Sequence, residues 1–165
     1  MKFQIISDLH LEIHQEINPI YFFERDETAD CLLLAGDIGY PSLPSYELFL
    51  TLIFTQYKYI ILISGNHEKY NSSIEESDRK IKDIVSKFDN IFYLNNEIYE
   101  FTEQKIAILG STLWSFIPNS LIPYIWNNVN DYKYINNFTP IHSNNLYRTN
   151  VLWLTNKLYK RKKDG

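Results

Sequence analysis

A chain of 165 residues, with 45% hydrophobic, 16% aromatic and 22% charged residues, has the make-up of a single globular domain over 1–165 and excludes a disordered polymer. Its net charge of −4 gives no broad attraction for phosphate backbones, which argues against a nucleic-acid partner, and its one cysteine, Cys31, excludes an internal disulfide. The apolar runs "CLLLAG", "LFLTLIF" and "YIILIS" fall far short of the ~20 residues of a membrane span, and Asp8 interrupts the N-terminus before signal-peptide length, so a soluble, cytoplasmic protein with no membrane partner is expected.

In chain order, residues 3–7, 31–35 and 59–64 are short runs rich in Ile, Leu and Val, which predicts strands buried on both faces. A helix is expected over 45–55, entered through Pro41 and Pro44. A second is expected over 73–88, with Ser72 or Ser73 as N-cap and Ile74, Ile81, Ile84, Val85 and Phe88 on one stripe. Alternating strand and helix predicts a largely parallel sheet. Residues 91–94, 98–101 and 105–110 read as three further strands, the last two joined as a hairpin across 102–104, and a helix is expected over 145–160. Residues 118–143, poor in periodic signal, read as a long loop.

Each of the first three strands runs into residues suited to holding a cation: "SDLH", then "AGDIG", then "SGNHE". Ligands of open α/β sheets bind beyond the carboxyl ends of the strands, so the three ends converge on one place. On an extended backbone Asp8 and His10 would face the same side and offer one oxygen and one nitrogen donor to one ion. Gly36 and Gly39 allow a tight turn around Asp37, whose two carboxylate oxygens suit a bridge between cations. Asn66 adds an amide oxygen, and His67 a group able to donate a proton to a leaving group.

Asp8/His10, Gly36/Asp37 and Gly65/Asn66/His67/Glu68 resemble the Asp-x-His, Gly-Asp and Gly-Asn-His-Asp/Glu pattern of the calcineurin-like metallophosphoesterases. "ILGSTLWS" and "NDYKYI" also resemble stretches of the short bacterial and viral members. The resemblance implies an α/β fold, a four-layer αββα sandwich, and two divalent metal ions drawn from manganese, iron and zinc. It further implies hydrolysis of a small phosphomonoester or phosphodiester by a metal-activated hydroxide. Asp8 and His10 would hold the first metal, Asp37 would bridge, Asn66 would hold the second, and His67 would be the leaving-group acid.

The family's pattern continues with a histidine motif and a Gly-His-x-His, and this sequence contains neither. A form truncated before those motifs is therefore expected, with an incomplete second sheet whose open edge invites self-association or a second chain. Three protein ligands would then serve the first metal and two the second, which sets a non-catalytic remnant or binding scaffold with partial metal binding beside the enzyme as an alternative. "GDIGYP" lacks the second acid and the arginine of protein phosphatases, which argues against protein substrates. His14 and His142 read as ordinary surface residues, and "KRKK" as a solvated helix end.

Overall fold

A computed structural model describes residues 1–13 and 18–164. Four strands, β1 (Phe3–Ile6), β2 (Cys31–Ala35), β3 (Tyr59–Ile63) and β4 (Ile91–Tyr93), form a parallel sheet in that order, with Phe3 opposite Cys31 and Leu34 opposite Leu62. Strand periodicity assigns the two faces. Leu32, Leu34, Ile60 and Leu62 pack under α1 (Pro44–Ile53) and α2 (Ile74–Val85), against Tyr46, Phe49, Leu50, Ile81 and Ile84. Cys31 and Ile61 face the other way, toward Leu94 and Phe101, and burial pushes the Cys31 thiol up to about 12.

The second face is covered by an antiparallel hairpin of β5 (Glu97–Phe101) and β6 (Ile106–Gly110), with Phe101 opposite Ile106. Outside it runs α5 (Pro140–Asp164), tied back by Arg161 paired with Glu100 and by Asn150, whose amide donates to Asn96 at 3.0 Å. The order of layers is the expected αββα, the second sheet being this one hairpin among the described residues. No helix of the described residues is long and apolar enough to cross a membrane.

The structure corrects the sequence reading in three places. The strand β1 is an edge, not a doubly buried strand, and leaves Ile5 67% exposed. The run 118–143 is not a structureless loop. It holds a short 3-10 turn (Asn119–Leu121), α3 (Ile122–Asn128), α4 (Asp131–Tyr134) and the start of α5. Neither α3 nor α4 buries a residue, so neither carries the apolar stripe by which helices are recognised; aromatic contacts anchor them instead, Trp126 on Tyr132 and Tyr132 on Phe138 with planes 15° and 12° apart. Finally, α2 ends at Val85 and not at 88; Ser73 does cap it, accepting from the Glu76 N–H, while Phe88 lies beyond the helix against Phe54.

Candidate metal centre

After β1 the chain does not stay extended. Residues 8–11 run beside the loop that follows β2, the N–H groups of Asp8, His10 and Leu11 donating to the carbonyls of Gly36, Asp37 and Ile38 at 3.0–3.1 Å. Asp8, His10 and Asp37 all take left-handed backbone (φ 57°, 49° and 55°), and Gly36 sits at φ 94°, whereas Gly39 is not in that region. Asp and His are among the residues that best tolerate such angles, and three of the eight described non-glycine residues that take them fall in this one pair of loops. Asp8 and His10 thus do converge, but through two left-handed turns and not through strand alternation.

One donor atom each from Asp8, His10 and Asp37 lies within 4.8 Å of the others. His10 Nε2 is 4.0 Å from Asp8 Oδ1, and the Asp8 side chain is 66% exposed, open to an ion arriving from solvent. A second group, His10, Glu12 and His67, adjoins the first: Glu12 Oε1 lies 3.1 Å from His10 Nδ1 and 3.0 Å from His67 Nδ1, and the two rings meet edge to face at 4.4 Å. An ionised carboxylate only accepts, so against it both Nδ1 atoms donate and both Nε2 atoms are left for other work. A carboxylate behind an imidazole in this way fixes tautomer and ring orientation at metal sites.

Asn66 and His67 enter from the turn after β3. The Asn66 amide nitrogen donates to Asp131 Oδ1 (2.7 Å) and to the Tyr70 hydroxyl (3.2 Å), leaving its oxygen as the remaining acceptor. The His67 N–H donates to Asp37 Oδ1 at 3.0 Å, and the His67 ring stacks on Tyr70 at 4.4 Å. Burial and the Asp131 carboxylate, which accepts its hydroxyl at 2.7 Å, push the Tyr70 phenol well above its ordinary range.

Glu68, 1% exposed, fastens the second and third loops together, its two oxygens accepting from the N–H groups of Asp37 (3.0 Å), Ile38 (2.7 Å) and Gly65 (2.8 Å). Burial, and next the Asp37 charge, raise its carboxyl to about 7 despite those bonds. Gly65 is pressed so close that a Cβ there would lie 2.1 Å from Asp37 Oδ1.

All five sequence-predicted site residues, Asp8, His10, Asp37, Asn66 and His67, therefore belong to one connected cluster. Sequence reasoning gave no role to Glu12, Tyr70 or Asp131, and took Glu68 only as part of a motif. For Glu12 the signal was its place two residues after His10; Asp131 lay in the family-like stretch "NDYKYI" and Tyr70 three residues after His67, but nothing in the sequence brought either to Asn66. His142 lies elsewhere, against Phe138, and His14 falls outside the described residues.

The donor set suits a divalent cation. Two carboxylates and an imidazole, with no thiolate among them, are oxygen and nitrogen donors of the kinds that hold divalent cations.

An uncharacterized protein of Acanthamoeba polyphaga mimivirus is 37% identical over 142 residues, 79% of this chain but 50% of that protein, so the chain spans half the length of this relative. The crystal structure of a phosphopantetheinyl hydrolase from Mycobacterium tuberculosis superposes with a TM-score of 0.65 at 16% identity, covering 96% of this chain and 63% of that one, which establishes a shared fold. The sequence profile of calcineurin-like phosphoesterases matches residues 1–165, and by that match the chain belongs to the calcineurin-like phosphoesterase family.

Proposed function

We propose that the chain is a metal-dependent hydrolase of a small phosphomonoester or phosphodiester. The observation that carries this reading is the gathering of Asp8, His10 and Asp37 donors within 4.8 Å at the ends of β1 and β2. Asp8 and His10 would hold one divalent cation, Asp37 would be shared, and the Asn66 oxygen would serve a second. Cations held there would supply Lewis acidity toward the phosphoryl group and toward water.

The chain's own residues do the rest. Glu12 holds His67 by Nδ1, so that when the ring carries its second proton that proton sits on Nε2 and can pass to the departing oxygen, leaving the neutral imidazole behind. Stacking on Tyr70 limits the ring to that plane. Asp131 holds the Asn66 nitrogen, and so settles which end of the amide is available. Glu68 and Gly65 keep Asp37 in register with the turn that carries Asn66 and His67.

A second reading, a scaffold that binds metal without turnover, draws on the ligand count: Asp37 and Asn66 alone serve the second cation among the described residues. Titration with manganese, followed by assay of a chromogenic monoester and diester beside Asp37→Ala, separates the two. Manganese-dependent hydrolysis lost in the variant supports the enzyme; manganese uptake without hydrolysis supports the scaffold; no uptake at saturating manganese defeats both.

A further inference from the structure

Beside the cluster lies a cleft of about 350 Å³ whose inner end is formed by Gly65 and Asn66, the same turn that carries the proposed second-cation donor. Its position is fixed by Thr112, whose hydroxyl donates to the Ser64 carbonyl at 2.8 Å and so ties the segment after β6 to that turn. The walls come from that segment and from α3 and α4: Trp114, Ile125, Val129 and Tyr132 line it, and Asp131 is its one carboxylate. Among the described lining residues there is no Lys, Arg or His.

Physical chemistry then restricts the occupant. A group entering from the phosphoryl position meets aromatic and branched aliphatic side chains, which favour apolar surface removed from water, and the uncharged hydroxyls of Thr112, Ser115 and Ser143. A second phosphate or a carboxylate on the same molecule would face Asp131 with no cationic side chain to pair it, at a desolvation cost. The aromatic side chains contact one another: Trp114 packs on Phe138 at 4.6 Å, and Phe138 stacks on Tyr132 at 5.4 Å.

We propose that this cleft receives the organic part of the phosphoester and selects an uncharged aromatic or aliphatic group over an anionic one. The inference rests on the phosphoesterase reading for where the phosphoryl group sits. Selection is made by Trp114, Ile125, Val129 and Tyr132 through apolar contact, and by Asp131 through repulsion.

The test uses two non-hydrolysable probes, 1-naphthylmethylphosphonate and 2-carboxyethylphosphonate, titrated calorimetrically into the manganese-loaded 165-residue chain. The naphthyl probe is expected to bind at least about tenfold more tightly. Ile125→Lys, a change on a half-buried helix surface, is expected to weaken the naphthyl probe by about tenfold and tighten the carboxylate probe severalfold. Circular dichroism and melting of that variant check that it folds; should it fail to, Val129→Lys is the second variant, with the same expectation. Equal affinity for both probes, or an unchanged ratio in a folded lysine variant, would overturn the proposal. Hydrolysis of 4-nitrophenyl phosphate and of bis(4-nitrophenyl) phosphate, run in parallel, keeps the two readings apart. Turnover with equal probe affinities sinks the cleft and leaves the enzyme standing, whereas the expected probe selectivity without turnover supports the cleft and sinks the enzyme.

Discussion

Replacing Gly65 by alanine puts a methyl group 2.1 Å from Asp37 Oδ1, 2.8 Å from its Cγ and 2.9 Å from its backbone nitrogen, where side-chain carbons essentially never come within 3.0 Å. Rotating Asp37 does not relieve the clash, because Oδ1 is held by the His67 N–H and the backbone nitrogen is held by Glu68. The two loops must part by about 1 Å. Overpacking of that kind costs about 1–3 kcal/mol, and weakening one or two of the bonds to Glu68 adds roughly 1 kcal/mol each, so a loss of about 2–5 kcal/mol is expected. For a chain of this size that lowers the melting temperature by roughly 4–20 °C. Manganese affinity, read by calorimetry on the folded fraction, should fall about tenfold to a hundredfold, because the displaced group is the carboxylate proposed to be shared between cations. Gly65→Ala melting within about 2 °C of the parent, with manganese affinity unchanged, would show that the loops are not locked as described.

Further outcomes follow from neighbouring groups. The Glu68 carboxyl is raised from 4.5 to about 7, so between those values the unfolded chain loses its proton first and the metal-free fold loses stability as pH rises. This contribution is complete below about pH 4.5, gone above about pH 7, and on the order of 3 kcal/mol. Urea unfolding in chelator should show the parent-minus-Glu68→Gln difference falling between those pH values, and a constant difference would refute the linkage. Glu12→Ala releases both imidazoles and should weaken manganese binding by about 10–100-fold, with Glu12→Gln, which keeps an acceptor oxygen, losing less; equal affinity in all three proteins would contradict the positioning role. Lys69, 2% exposed and paired with Asp78, should cost about 3–5 kcal/mol when changed to Met, and the added change Asp78→Asn should cost less than it does alone. Additive losses in that double-mutant cycle would mean that the two charges do not interact.

Much of this architecture was legible before folding. The runs at β2 and β3 are apolar at every position, and only strands flanked by layers on both sides tolerate that. Their ends carry Asp37 and Asn66, which made the convergence of loops readable. What was not legible depended on contacts between loops. Glu12 matters because left-handed turns at Asp8 and His10 swing it behind two rings that come from residues 57 positions apart, and no local pattern encodes that. Asp131 reaches Asn66 across 65 positions from a helix of only four residues, too short to leave a periodic trace. Ile5 was misjudged because composition alone does not tell an edge strand from a central one.

The fastening of two loops by one hidden carboxylate has a kinetic meaning. Because the cradle is assembled when the chain folds, an arriving ion has no rearrangement to drive. Uptake of each cation should follow a single exponential, at a speed set by how readily that metal sheds its own hydration waters.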